Sequence, residues 1–525
     1  MTQSLQAGGH TMKILDLSMF DNLSSKDLTA EQLKSSLAES GTYLRDFVVS
    51  STNDGNSFDQ VERAVFQTLK KIGFGAMELL IRLQGSGDLG IQISSTERSL
   101  SRNPEQSKTR IRSIFGEHTF QEYTYGAGIN KKIDLRPISA RLDLPEHQWS
   151  YLLQEFSQLF CVEQAFNQAS RNLETVLGGR FSVDTLEHTS QRMGVEADAF
   201  LDALPVPAKA DEAKLLVATA DGKGVPLIKQ DCKPVAAFEQ AKKRPGNRRM
   251  ATVASVYTVD PHVRTPEQIV GALFRDEHEN QTKRPQPKNK HTTAHFASTH
   301  EDGEKDVTVS AILEGTSWLA QQIEARKAPM QTLILLMDGQ EALWDAANVC
   351  LEGTKAVEIL DIIHVASYVW DAANLFETTQ DNRMAFTRKW LQAILNGRVS
   401  SVLKSLRRLG TSKELRGEKL TSLNKICGYF EKHKTRMRYD EYLKEGYPIA
   451  TGVIEGACRH LVKDRMERSG MRWTLEGARS MLNVRAVFQS AYWEAFCKQR
   501  ITNQSTSTHP NRHLINDYQP LSLAC

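Results

Sequence analysis

Three carboxylates stand where their types and spacing suit metal-assisted chemistry at phosphorus. Asp221 ends the apolar run AKLLVATADG (213–222) and Asp338 ends TLILLMDG (332–339); glycine follows each. In open α/β sheets ligands gather beyond the carboxyl ends of strands, where an acid has little packing role. The competing reading is a turn, because Asp-Gly is a common turn dipeptide. Glu455 lies in GVIEGACRHLVKDRM, where Ile454, Cys458, Leu461 and Val462 make one apolar helical stripe. Glu455, Arg459 and Lys463 follow at i, i+4 and i+8, with His460 beside them. The plain reading of that spacing is a surface Glu–Arg pair. The chemical reading is a carboxylate that holds a divalent ion while the cations hold phosphates. Magnesium takes a few carboxylates plus water and substrate oxygens, and two such ions can activate an attacking oxygen and stabilise a leaving one.

The elements that must position these residues show in outline. Strands are expected at 213–222, 249–260, 332–339 and 356–360, the last running into Asp361. Helical periodicity marks 265–276, 307–326, EALWDAANVCL and 362–376. Strands alternating with helices imply an α/β layer with some parallel pairing. Residues 377–447 carry helical pattern without a strand signal and read as an insertion; 451–498 is helical again. Two strand-end aspartates and then a helical glutamate, at the equal intervals 221–338 and 338–455, are the arrangement of an RNase H-like nuclease core. Asp231, beyond the first strand, and Asp345, a turn and a half into a helix, are excluded from the site.

Upstream, 58–84 reads as a helix on Val61, Ala64, Val65, Leu69 and Ile72, interrupted at Gly73 and Gly75. Residues 109–135 alternate like a β-hairpin with Gly turns. A helix over 163–177 ends at Gly178-Gly179, Ser182 sits where an N-cap would, and Gly194 suits a C′ position after VDTLEHTSQRM. That is the outline of a helix-turn-helix, with Asp184, Glu187, His188, Thr189, Gln191 and Arg192 on polar faces. Two packed helices of any α domain give the same outline.

Composition excludes collagen-like, disordered and disulfide-scaffold classes: 40% of residues are hydrophobic and 25% charged. The seven cysteines include no CxxC pair and read as reduced thiols of a cytosolic protein. No signal peptide and no membrane span are expected. The net charge of +3 conceals sorting along the chain. Residues 14–60 carry eight acids against three bases, whereas 396–438 carry twelve bases, Arg407 and Arg408 among them, against three acids. Smaller basic clusters are Lys242-Lys243-Arg244 with Arg248-Arg249, and Lys283-Arg284 with Lys288 and Lys290. A polyanion partner suits such sorting, and so does a solvated helical face.

The sequence resembles the DDE transposases of bacterial insertion sequences, in the Mutator-like group and its ISKra-type family. The resemblance covers about 150–500 and rests on ATADGKGVPLI (218–228), ATVASVYTVDPHVRTPE (251–267), LLMDGQEALW (335–344), ILDIIHVASYVWDAANLF (359–376) and the long block GVIEGACRHLVKDRMERSGMRWTLEGARSMLNVRAVFQSAYWEAF (452–496). It implies Asp221, Asp338 and Glu455 as the catalytic and metal-binding carboxylates, with two Mg²⁺ ions for which Mn²⁺ can substitute. The family's D-x-x-H signature falls on Asp361 and His364, expected to support the site or the placement of DNA. His364 reads equally as a satisfied core histidine. Some relatives carry a cysteine-based zinc ribbon near the N-terminus; the hairpin GEHTFQEYTYGAGINKK has no cysteine, which puts zinc in doubt. Arg459, Lys463, Arg465 and Arg472 are candidates for phosphate contacts, with surface salt pairing the alternative. Trp473 could stack on an unpaired base or sit in the core.

The expectation is therefore a multidomain α/β protein. Its division is an N-terminal module (1–145), a helix-turn-helix-like DNA-binding region (146–210) and an RNase H-like core (211–376 and 448–500). A basic α-helical insertion (377–447) interrupts the core, and a tail (501–525) follows it. Expected partners are terminal inverted repeats and target DNA, bound by a homodimer or higher oligomer, with no membrane, in a bacterial cytoplasm at the nucleoid. The expected activity is strand cleavage and transfer of a 3′-OH onto a target phosphodiester. The alternatives are a transposase-derived DNA-binding protein that no longer cuts and an RNase H-like structure-specific nuclease.

Overall fold

The computed structural model describes residues 28–94, 99–128, 131–231, 247–276, 284–302, 305–468 and 470–521. Lys242, Lys243, Arg244 and Lys283 of the basic clusters, and Asp16, Asp21 and Asp27 of the acidic stretch, lie outside them. Two compact units divide the chain: 1–161 with 166–186 and 497–525, and 162–165 with 187–496.

The first unit opens with two long helices, Ala30–Asn53 and Phe58–Leu83, each started by a capping box, Thr29 with Gln32 and Ser57 with Gln60. The second helix is continuous through Gly73 and Gly75, contrary to the expected interruption. Gly73 has a packing reason instead: a Cβ there would meet the Phe115 ring at 2.5 Å. A hairpin of Ser107–Ser113 and Gly116–Glu122 follows, beside a four-stranded antiparallel sheet. Residues 501–525, read as a tail, are partly built into this unit. Leu514, Ile515 and Tyr518 pack with Leu100, Tyr125 and Leu135, and Asn511 donates to the Asp134 carbonyl at 3.0 Å.

In the second unit five strands form one mixed sheet: β1 (Leu215–Pro226), β2 (Arg248–Val259), β3 (Lys288–His295), β4 (Thr332–Met337) and β5 (Val357–Leu360). The order is β5-β4-β1-β2-β3. β1–β2 and β2–β3 are antiparallel; β1–β4 and β4–β5 are parallel. Both faces are buried, as apolar runs on central strands require. Leu216, Ala218, Leu333 and Leu335 pack on Trp318, Leu319 and Ile323 of Ala311–Arg326 and on Trp344 of Glu341–Cys350. Leu215, Val217, Ile334, Leu336 and Ile359 pack on the helix Ile362–Phe376 and on the helices of 377–447.

Three expectations need correction. First, β1 does not stop at Asp221-Gly222: it pairs with β2 without a break to Pro226, so Asp221 opposes Val253 in the middle of a ladder. Second, β3 and the hairpin Ser298–Asp302 with Lys305–Val309 have no strand signal, and residues 307–309, expected to begin a helix, belong to that hairpin, the helix starting at Ala311. Buried His291, Thr292 and Thr293 make β3 a polar strand with no apolar alternation to read. Third, Gly194 does not end a helix. Val183–Asp202 runs through it, and a Cβ at Gly194 would meet the Ser480 backbone at 2.4 Å, so glycine there permits close helix packing.

The segment 377–447 is helical throughout: Gln380–Leu395, Val399–Ser412, Gly417–His433 and Tyr439–Lys444. It shares one continuous core with the sheet, Leu391, Phe430 and Tyr439 lying against the β4–β5 side. The phenols of Tyr439 and Tyr442 donate to the Leu360 and Glu358 carbonyls at 2.8 and 3.0 Å, which covers the edge of β5.

Candidate active site

The parallel register places three aspartates in one row. Leu335 pairs with Ala218, and Met337 with Leu360. Continued to the strand ends, the same register sets Asp338 level with Asp221 on one side and Asp361 on the other. The Asp361 N–H donates to the Met337 carbonyl at 2.9 Å, as that ladder requires. Side chains alternate along a strand, so all three emerge on the face of Val217, Leu336 and Ile359. Asp338 also starts a turn: its Oδ1 accepts from the Gln340 N–H at 2.9 Å. Turn and site readings therefore coexist at Asp338, whereas Asp221 is in no turn.

The returning chain brings Glu455 to the end of this row. The Ile362 N–H donates to the Ile449 carbonyl at 2.9 Å, and the Thr451 N–H donates to Asp361 Oδ1 at 2.9 Å. The helix Gly452–Ala457 starts directly after these anchors. The Thr451 hydroxyl donates to Glu455 Oε1 at 3.3 Å. Among the described residues, Asp361, His364 and Glu455 form the group of three whose ligand atoms all lie within 4.8 Å of one another. Asp221, Asp338 and Glu455, the three residues expected to converge, are not such a group. Asp361 and His364, expected as support, are the residues grouped with the glutamate instead.

Asp361 is wholly buried and caps the helix Ile362–Phe376: its Oδ2 accepts from the His364 N–H at 3.0 Å and from His364 Nδ1 at 2.8 Å. That hydrogen bond raises the pKa of His364 against the opposing effect of burial, with smaller help from the charges of Asp338 and Asp221. Burial is the main cause that raises the Asp338 carboxyl, and the charges of Asp221 and Asp361 add to it. Asp221 accepts from the Gly222 N–H at 2.7 Å and from the Cys458 thiol at 3.5 Å. Burial and then the Asp221 charge push that thiol's pKa up. Cys458 opens a π-helical segment, Cys458–Lys463, directly after the Glu455 helix; π-helical turns are frequent at functional sites. In the sequence Cys458 fits the apolar stripe, and nothing in the pattern signals its contact with Asp221.

Tyr429 closes the site from the side of 377–447. Its ring lies over Gly339, where a Cβ would come within 2.2 Å of it, and it stacks on Tyr368 at 3.9 Å. Gly339 is thus the residue that lets an aromatic ring reach the turn after Asp338.

The donor set fits divalent cations. Two adjacent carboxylates, a third level with them and Glu455 nearby outnumber the cationic groups whose charge reaches Asp338 or Cys458, which are His364 and Lys223. An ion would relieve the repulsion that raises Asp338.

The expected DNA contacts divide by exposure. Arg459, Lys463 and Arg472 are exposed, and Arg459 is 3.9 Å from Asp464. Arg465 is fully buried with its guanidinium over the Trp473 ring, and Trp473 is 6% exposed and donates to the Met466 carbonyl. Both are core residues here, which corrects the phosphate and base-stacking roles. His188 is exposed, and Gln191 and Arg192 are half-buried on a helix that buries Thr189, Ser190, Met193 and Ala197. Arg407 pairs with Glu431 at 3.4 Å, whereas Arg408 is exposed. Of the two acids excluded from the site, Asp231 accepts from the Leu475 N–H at 2.7 Å and Asp345 is exposed on its helix.

Compared with known proteins, the chain matches no protein-family model and no curated protein. Among the described residues no helix is long and apolar enough to cross a membrane.

Proposed function

We propose that the chain is a DNA transposase of the DDE type, with an RNase H-like core. The observation that carries this reading is the row Asp221–Asp338–Asp361 on three adjacent parallel strands, with Glu455 returned to its end. The strand order, with β1, β2 and β3 pairing antiparallel in succession and β4 and β5 added in parallel on the other side of β1, supports the same core. Asp221, Asp338 and Glu455 would hold the ions. Bound there, divalent ions supply Lewis-acid polarisation of a phosphodiester and stabilisation of the leaving oxygen. The chain's own part is positioning. β1 and β4 fix two carboxylates on a rigid sheet, Asp361 ties the Glu455 helix to the same sheet edge, and Tyr429 with Tyr368 shields the turn at Asp338. Arg398, Lys404, Arg408, Lys413, Lys419 and Lys425 are exposed and form no ion pair among the described residues, which suits contact with the phosphates of DNA. The pairing of two element ends calls for a dimer or higher assembly.

The experiment is a strand-transfer assay with duplexes taken from the DNA flanking the gene, with Asp338→Asn as control. Wild type should nick and join in Mg²⁺ or Mn²⁺, and the variant should bind without either product. Cleavage without joining would select a structure-specific nuclease. Equal inertness of both proteins, with binding retained, would select a DNA-binding descendant.

A further inference from the structure

Asp361 and His364 are complementary in what they leave free. The Asp361 carboxylate accepts three hydrogen bonds, one on Oδ1 from Thr451 and two on Oδ2 from His364. A carboxylate has about four lone-pair sites, so Oδ2 is saturated and a single site remains, on a side chain with no exposed surface. His364 is 44% exposed, and its Nδ1 faces Asp361. A proton on Nδ1 makes that contact a donated hydrogen bond and leaves the lone pair on Nε2. A carboxylate that holds one ring nitrogen and so orients the other is the usual support of a metal-ligating histidine. Glu455 offers its carboxylate within 4.8 Å of the histidine.

The geometry points to His364 as a metal ligand through Nε2, sharing an ion with Glu455, and to Asp361 as the positioning residue behind it. Such a site takes a divalent first-row transition ion in preference to Mg²⁺. Magnesium favours oxygen donors in near-ideal octahedral array, whereas imidazole favours transition ions and carboxylates accept Mn²⁺ as well as Mg²⁺. The inference rests on the cation site proposed above and is independent of any DNA substrate.

The test uses the full chain with Mn²⁺ alone. Pulsed electron paramagnetic resonance of the bound ion should show coupling to nitrogen-14. His364→Gln should abolish that coupling while Mn²⁺ still binds, and should lower the preference for Mn²⁺ over Mg²⁺ about tenfold or more. Asp361→Asn should weaken Mn²⁺ binding by about 10- to 100-fold, the usual cost of losing such a support. Should His364→Gln fail to fold, shown by circular dichroism, His364→Asn replaces it, and the wild-type spectrum already decides the first point. Bound Mn²⁺ without nitrogen coupling, or coupling that survives His364→Gln, overturns the histidine inference and leaves the carboxylate site standing. Mn²⁺ binding that is insensitive to Asp338→Asn overturns the cation site, and this inference with it.

Discussion

Asp338 and Glu455 both stand next to Asp361, and they are placed there by opposite means. Asp338 is carried by a central strand with neighbours on both sides, half-buried, its turn packed under Tyr429. Glu455 is exposed on a helix of six residues, held through Thr451 and the Asp361 carboxylate. The strand supplies a fixed charge at the expense of desolvation. The helix supplies a charge that stays hydrated and depends on one buried hydrogen-bonding group for its place. In the proposed cation site, one rigid and one adjustable ligand would suit a centre that must accept more than one oxygen partner in turn.

The largest expected effects come from removing either charge, and they should differ in kind. Asp338→Asn and Glu455→Gln should each lower strand cleavage at least as much as loss of one transition-state donor, about 100- to 1,000-fold. Their stabilities should part. The Asp338 carboxyl is raised from 3.8, chiefly by burial, so the folded state favours its proton, and its ionisation destabilises the fold as pH rises through the folded value. At neutral pH, without divalent ions, Asp338→Asn should therefore melt higher than wild type. Glu455→Gln should melt within error of wild type. Equal melting shifts would remove the distinction between the two carboxylates.

The next effect acts on the rigid side alone. Gly339→Ala drives a Cβ into the Tyr429 ring at 2.2 Å. Overpacking of this kind costs about 1–3 kcal/mol. A urea melt should show that loss, and Gly339→Ala paired with Tyr429→Ala should recover part of it. Absence of recovery would mean that the aromatic ring does not determine the turn.

How far this centre shows in the sequence follows the same division. β1, β4 and β5 are apolar runs interrupted by an acid, so Asp221 and Asp338 were legible before any pairing was known. Their shared row was not, because register between parallel strands depends on residues more than a hundred positions apart. Glu455 was legible as a helical acid among cations. Its anchor was not: no pattern links Thr451 to Asp361. Burial was the weakest reading of all. Arg465 and Trp473 look like nucleic-acid contacts in GMRW and its surroundings, yet the cation lies on the indole face inside the core. Cys458 fits an apolar stripe as well as it fits a site, and its position against Asp221 is a tertiary fact.

A smaller effect isolates the adjustable side. Asp361→Asn replaces the carboxylate that raises His364 by a neutral amide. In cation-free protein the His364 pKa, followed by nuclear magnetic resonance, should fall toward 6.5. The imidazolium–carboxylate pair stabilises the fold below the unfolded value of 6.5, and this contribution fades as pH rises through the higher folded value. The melting difference between wild type and Asp361→Asn should be wider at about pH 6 than at about pH 9. The opposite trend would mean that His364 is held as the neutral ring.

The smallest effect tests the join between the two sides. Cys458 follows Glu455 by one turn and donates to Asp221 on β1 at 3.5 Å, so it links the helix to the strand. A hydrogen bond contributes about 0.5–1.5 kcal/mol net, so Cys458→Ala should lower activity by no more than about tenfold, and Cys458→Ser should restore much of it. The loss should fall on turnover at saturating metal, because the thiol orients a carboxylate and does not replace it. A loss cured by excess metal would place Cys458 among the ligands, and the helix and strand would then be joined by the ion itself.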